Sequence, residues 1–386
     1  MAKNSKHSRR ALLSLITGST IAGTAGASAQ THRKTTAAMR QQTSVEQVVQ
    51  DRYTAVSLVT DVSASGDTVL FGFGNGDLVI YDANRQSELL PFTENSRISH
   101  IQIEEATNTA ALAWMDADIY GLLDLTTQDG PVIEHPGLWD IAMASEDATI
   151  ASVSSPIDGQ GSVMLATEGG QQWRDNLDEA AASSVDITAD GETIAVGGTQ
   201  YLVGALEQEG TPGVMLYDSD GEHQWTYETD IDVIATQINA ESECVVAGTD
   251  DGQLLVLDFA GELLWEDQQL VGWPYISNDG STVINSTVEG TIQAYDTATG
   301  EEQWTTETET IASGDLSVNE DGTRVLASAR TEGEVYLVEE SGILWENAYD
   351  VGPAVGALSG TGRTWSVGIQ QTEEQTGRVE IYEEST

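Results

Sequence analysis

The sequence has a single cysteine, Cys244, so no intramolecular disulfide can brace the fold, and no cysteine stands just after the N-terminal apolar run where a lipid could be attached. Lysine is missing beyond residue 40. Lys3, Lys6 and Lys34 are the whole supply, and the rest of the chain sets eight arginines against all 63 acidic residues. Phosphate recognition needs a basic stripe, so nucleic acid is excluded as a partner, and anionic membrane surfaces are disfavoured on the same ground. No apolar run reaches the roughly 20 residues that cross a bilayer. Aromatic residues make up only 6% of the chain and prolines number 7.

What is present is acid. The formal net charge is −48 over 386 residues, with Asp and Glu spread evenly from Glu46 onward rather than gathered in a block. Self-repulsion of that size penalises a compact state in dilute buffer, but at about 1 M salt the Debye length falls to roughly 3 Å and the penalty fades. The composition therefore predicts adaptation to brine; the alternative is an acidic interaction surface at ordinary salt. The basic residues collect at the N-terminus, where Ser8-Arg9-Arg10-Ala11-Leu12-Leu13 precedes an apolar run to Ala22 and a small-residue site at Ala27-Ser28-Ala29. This pattern resembles a twin-arginine export signal, with Leu12 where Phe is usual, and places the protein outside the cell or on its surface. Residues 1–29 are expected to be the signal, with an uncleaved anchor as the alternative. Residues 30–43 are expected to be a flexible linker, and 44–386 one domain.

Repetition organises that domain. Ser184 to Glu228 holds four short β-type runs, with tight glycine turns at Ala189-Asp190-Gly191 and Ser219-Asp220-Gly221, which is a four-stranded antiparallel meander. The unit recurs at about 40 residues. Innermost-strand candidates fall near Leu58, His100, Ile141, Asp186, Ala235, Pro274, Leu316 and Gly356, and matching third strands end at Asp82, Asp124, Thr167, Asp218, Asp258, Asp296, Glu339 and Glu383. The fold class is therefore all-β, a propeller of eight four-stranded blades, with seven blades as the alternative. The chain ends before an eighth outer strand, while Ser44 to Tyr53 is spare at the other end. That segment is expected to complete the last blade and close the ring, since closure removes an exposed edge; a disordered tail is the alternative.

A glycine followed closely by tryptophan marks the fourth strand at Trp173, Trp225, Trp265, Trp304 and Trp345. The window Ala294-Tyr295-Asp296-Thr297-Ala298-Thr299-Gly300-Glu301-Glu302-Gln303-Trp304 closely resembles the tryptophan-docking motif of pyrroloquinoline-quinone propellers, and the other four windows match in part. Blades 1 and 2 lack the tryptophan, with Leu89 and Val132 near its place. The resemblance implies that the five indoles fill the gaps between neighbouring blades as a structural girdle. It also raises the activity of a quinone- and calcium-dependent oxidoreductase, but Cys244 is alone, Arg52 and Arg97 are the arginines nearest the inner strands, and no calcium cage stands out. No cofactor and no metal is expected.

Other chemistry is equally absent. His100, His135 and His223 lie in different blades without zinc-type spacing and are expected to be surface or turn residues. Asp218-Ser219-Asp220-Gly221 and Asp116-Ala117-Asp118 echo calcium loops but lack the distal glutamate. In a meander, the loops joining second and third strands share a face with the connections to the next blade. The longest such loops are Gln200 to Pro212 and Gln370 to Gly377, with a shorter one at Ser155 to Gly161. Binding is expected on that face, with Tyr201, Gln370, Trp139 and Trp273 as candidate contacts; packing in the core is the alternative for the two tryptophans. The sequence thus points to an exported, monomeric, non-catalytic scaffold for a protein or cell-envelope partner, with the oxidoreductase or a small-ligand or sugar sensor as alternatives.

Overall fold

The computed structural model describes residues 45–385 except 54, 56, 92–95, 158–159, 178–180, 200, 204–206, 210, 269–272, 288–289, 309–315, 330–332, 350–353 and 372–375. The expected signal and linker lie outside the described residues. Eight four-stranded antiparallel sheets follow one another along the chain. Their innermost strands are Ser57–Val62, His100–Glu104, Leu138–Met143, Ala181–Ile187, Val233–Asn239, Tyr275–Ile276, Leu316–Val318 and Ala354–Leu358, which number blades 1 to 8. The only helical element among the described residues is a 3₁₀ turn, Met115–Ala117, and no helix there is long and apolar enough to cross a membrane. The protein is an eight-bladed β-propeller.

The hairpin turns of the blades are held by local side-chain chemistry. In blade 4 the Thr188 hydroxyl donates to Asp190 Oδ1 (2.6 Å) and accepts the Thr193 N–H (3.0 Å), while Asp190 accepts the Glu192 N–H (3.1 Å). The same device joins Ser277 to Asp279 and Asn319 to Asp321. The turn before the outer strand uses Asp218, whose Oδ1 accepts the N–H groups of Asp220 (3.1 Å) and Glu222 (2.8 Å). The calcium-loop echo at Asp218 is therefore a turn that spends its carboxylate on backbone donors. Many acidic residues that look like bare charge in the sequence have this job.

Blades cannot shield themselves singly, and the core lies in the seams. The cluster of Val214, Leu216, Val245, Ala247, Leu255 and Leu257 joins blades 4 and 5, for example. On the face that carries the first-to-second-strand turns, the turns are also chained by backbone bonds: Glu146 N–H to Ala189 O (2.9 Å), Asn278 N–H to Glu320 O (3.0 Å), Glu320 N–H to Gly360 O (3.0 Å) and Thr361 N–H to Ala64 O (3.0 Å).

The ring closes through the N-terminal strand, as the spare segment led us to expect. Val45–Tyr53 pairs antiparallel with Thr376–Glu384 and forms the outer strand of blade 8. Val49 is buried among Val62, Val69, Phe71 and Phe73 of blade 1. Tyr53 packs on Phe73, and its hydroxyl lies 2.8 Å from that of Tyr81. Three of the eight arginines beyond residue 40 serve this blade: Arg85 pairs with Glu383, Arg324 with Glu384 (2.6 Å) and Arg378 with Glu380 (3.1 Å). Glu380 is buried and also receives Gln50 Nε2 (2.9 Å) from the closing strand and the Tyr349 hydroxyl (3.0 Å) from the neighbouring blade.

Candidate binding faces and the axial channel

The innermost strands leave one edge without a partner strand, and side chains of the preceding blade cap it. Asp61 Oδ2 accepts the Ile103 N–H (2.6 Å), Asp140 Oδ2 the Val185 N–H (3.2 Å) and Asp186 Oδ2 the Ile238 N–H (2.9 Å), each from one blade to the next. The other carboxylate oxygen of each takes the N–H of its own following residue. Gln102 does the same work for Met143, and Ser317 for Leu358. A bare sheet edge is costly when it is not hydrated, so these polar residues sit in otherwise apolar strands for a structural reason.

The three aspartates sit half-buried on the innermost strands, and desolvation raises each carboxyl to about 7 against its backbone hydrogen bonds. The Tyr275 phenol, facing Asp186 and Asp61 from blade 6, is pushed up to about 12, first by burial and then by those charges. Half-buried His100 places Nδ1 3.8 Å from Asp140 Oδ1. His135 corrects the surface expectation for histidine. It is fully buried between blades 2 and 3, with Nδ1 and Nε2 each 2.9 Å from a serine hydroxyl, Ser152 and Ser162. Burial, then the charge of Arg174, lowers its pKa to about 4.

These shifts have a sign that can be measured. Between about pH 4 and 7 the folded aspartates hold protons that the unfolded chain releases, so their contribution to stability is lost as pH rises through 7. His135 works in the opposite sense, since the unfolded chain binds its proton between about pH 4 and 6.5. Three groups outweigh one. Thermal melts in molar salt should therefore show Tm rising by several degrees from pH 8 to about 5, and Asp186→Asn should flatten the slope; a Tm falling steadily over that window would contradict the assignment.

The five tryptophans of the motif project from outer strands toward the following blade. Trp173 donates its indole N–H to Ser219 O (2.8 Å), Trp225 to Phe259 O (2.9 Å) and Trp265 to Thr297 O (2.7 Å). Trp304 packs in a cluster with Tyr336 and Val338, and Trp345 lies 4.7 Å from the Tyr382 ring. The glycine of the receiving turn leaves room for the ring, because a Cβ on Gly300 would stand 2.8 Å from Trp265. In blades 1 and 2 the tryptophan position falls one residue before Leu89 and Val132, which stand beside it. The partner of Ile80, at the tryptophan position, is Glu88 rather than Leu89, and the backbone beside Leu122 is that of Pro131 rather than Val132. Leu89 and Val132 are strongly exposed instead.

The opposite face carries the second-to-third-strand connections. In blade 4 a separate two-stranded hairpin, Tyr201–Val203 with Glu207–Glu209, interrupts the sheet. Tyr201 starts it, and its side chain falls outside the described residues. Gln370 is half-buried near the end of a long second strand of blade 8, opposite Gly377. Strands in blade 3 run on to Ile157 and resume at Gln160, so much of the expected loop is strand. Trp139 is half-buried on the inner strand of blade 3, Trp273 is 39% exposed before that of blade 6, and no ring contact joins them among the described residues.

A quinone with three carboxylates needs cations around it. Among the described arginines none lies on an innermost strand; Arg52 is on the closing outer strand and Arg97 is paired with Asp116 (2.9 Å). The three channel aspartates already hold backbone donors, and no group of three or more metal-ligating side chains exists among the described residues. The donor set of the described residues does not fit a quinone with calcium.

Comparison with known proteins agrees with the geometry. The sequence model of a family described as outer membrane protein assembly factor BamB matches residues 158–288. A solved structure titled "Structure of Dos1 propeller" superposes with a TM-score of 0.64 at 13% identity, covering 88% of this chain and 95% of that one. No curated protein matches the sequence. The ring of four-stranded blades makes the chain a β-propeller, and residues 158–288 within it are similar to the BamB family's repeats.

Proposed function

We propose that this chain is an exported, monomeric, non-catalytic propeller scaffold that docks a protein or another cell-envelope component through the face bearing the second-to-third-strand connections. The observation that carries the reading is the contrast between the faces. One is a chain of short turns linked blade to blade, whereas the other bears the inserted hairpin of blade 4. Insertions on a rigid scaffold are where binding is usually placed. The five docked tryptophans keep the ring stiff enough to present that face, residues 1–29 direct export by the twin-arginine route, residues 30–43 link, and the acidic surface keeps the protein soluble in brine.

The test pairs two measurements. Replacing residues 200–210 by Asn-Gly should leave Tm within a few degrees of the parent yet abolish recovery of the component that co-purifies with the protein from its host at molar salt. Unchanged recovery would refute the face. Dye reduction after addition of pyrroloquinoline quinone and calcium would overturn the non-catalytic reading.

A further inference from the structure

Blades 3 to 7 each send one indole onto the next blade, from a position paired with Leu165, Leu216, Val256, Ala294 or Leu337 of the third strand. The corresponding residue of blade 1 is Ile80, two positions before Asp82 as Leu216 is before Asp218, and its partner is Glu88. Blade 1 therefore offers a short acidic side chain where five others offer an indole. Glu88 is exposed and makes one hydrogen bond across the border, from Gln128 Nε2 at 2.7 Å.

The receiving surface on blade 2 is nevertheless there. Docked indoles land on the third-strand residue before the turn and on the turn itself, as Trp265 does on Tyr295 and Thr297. The equivalents in blade 2 are Leu123 and the segment after Asp124. At this place the structure has a cleft of about 200 Å³, floored by Leu112, Trp114, Gly121 and Leu123 and walled by residues 128–132. Leu112, Trp114 and Leu123 belong to the cluster that packs toward blade 1. Val132, at the lip, is 63% exposed. A cavity of about 150 Å³ is enough to hold benzene. None of the lining residues is basic; Asp129 is one of them, Asp124 is bridged to it, and Glu88 accepts from the lining residue Gln128.

We propose that this cleft is a tryptophan-docking slot for which the chain supplies no tryptophan, and that it accepts an aromatic side chain, indole above all, from a protein segment with Lys or Arg on either side. Two observations choose the occupant. The ring's own outer seams show which side chain such a site takes, and the acidic surroundings call for positive charge beside it. The slot is on the perimeter, so it stands or falls independently of the loop-bearing face.

The test is titration of the full-length protein with the pentapeptide Lys-Lys-Trp-Lys-Lys and its alanine counterpart. The tryptophan peptide should bind at least tenfold more tightly, and this ratio should persist at 2 M NaCl although both affinities weaken. Glu88→Trp should fill the slot from within, raising Tm and weakening the tryptophan peptide at least tenfold. Gly121→Val should weaken it similarly from the floor, since a Cβ there points toward Pro131 O (3.2 Å), Trp114 (3.6 Å) and Val132 (3.8 Å). Equal binding of the two peptides, or undiminished binding by both variants, would overturn the proposal.

Discussion

Removal of residues 1–53 is expected to destroy cooperative unfolding at neutral pH, and an excess of a synthetic peptide spanning Val45–Tyr53 is expected to restore it. The closing strand pairs along its length with Thr376–Glu384, places Val49 in the core of blade 1 and supplies the Tyr53 contacts to Phe73 and Tyr81. Its loss would also strip Gln50 from buried Glu380, which shares its charge with Arg378. Leaving a buried polar group unmet costs about 1–3 kcal/mol and exposing one valine-sized side chain about 1.5–3 kcal/mol, so the sum rivals the 5–15 kcal/mol that holds a typical domain together. Rescue by the peptide distinguishes loss of closure from general misfolding, and makes Tm depend on peptide concentration. A truncated chain that melts like the parent would show that the ring does not need this strand.

The second large effect concerns the girdle. Trp265→Ala should cost on the order of 3–5 kcal/mol, because the indole fills the seam between blades 5 and 6 and its N–H satisfies Thr297 O. Gly300→Ala should destabilise on its own, since its Cβ would press on that indole and its φ of +70° suits glycine. In the double variant the steric part disappears with the ring, so the combined cost should be smaller than the two single costs added together, leaving the backbone term of about 1 kcal/mol. Chemical denaturation at constant salt checks this. Simple additivity would mean that Gly300 and Trp265 do not share a contact.

The repeated turns made the ring legible before any coordinates. Asp190-Gly191 and Asp220-Gly221 flank strands whose alternation is local, and eight copies at one spacing admit few architectures. The spare strand at the N-terminus was legible too, because the count of outer strands fell short by one. The tryptophan windows were found for the same reason. The inner-strand aspartates were not, although Asp61-Val62-Ser63 and Asp186-Ile187-Thr188 stand at the same offset before their turns. Their role depends on an N–H of the next blade, about 40 residues or more along the chain, which no local pattern reports. His135 was misread because a lone histidine outside a metal spacing looks like surface; its two serine partners lie in the adjacent blade.

The register at blade 1 is the plainest case of the limit. Neighbouring Leu89 is the apolar residue closest to the tryptophan position in the sequence, but strand alternation turns each residue to the opposite side of the one before, so a shift of one exchanges surface for seam. Only pairing with Ile80 shows that Glu88 holds the position. Chain chemistry by itself determined the hairpins and the acidic surface and narrowed the ring to seven or eight blades, since turns, alternation and charge are properties of short segments; pairing of the N-terminal strand decided eight. Which side chains meet across a seam, which carboxylates cap the inner strand of the next blade and where a docking site goes without its indole were decided by closing the ring, because each is a relation between blades far apart along the chain.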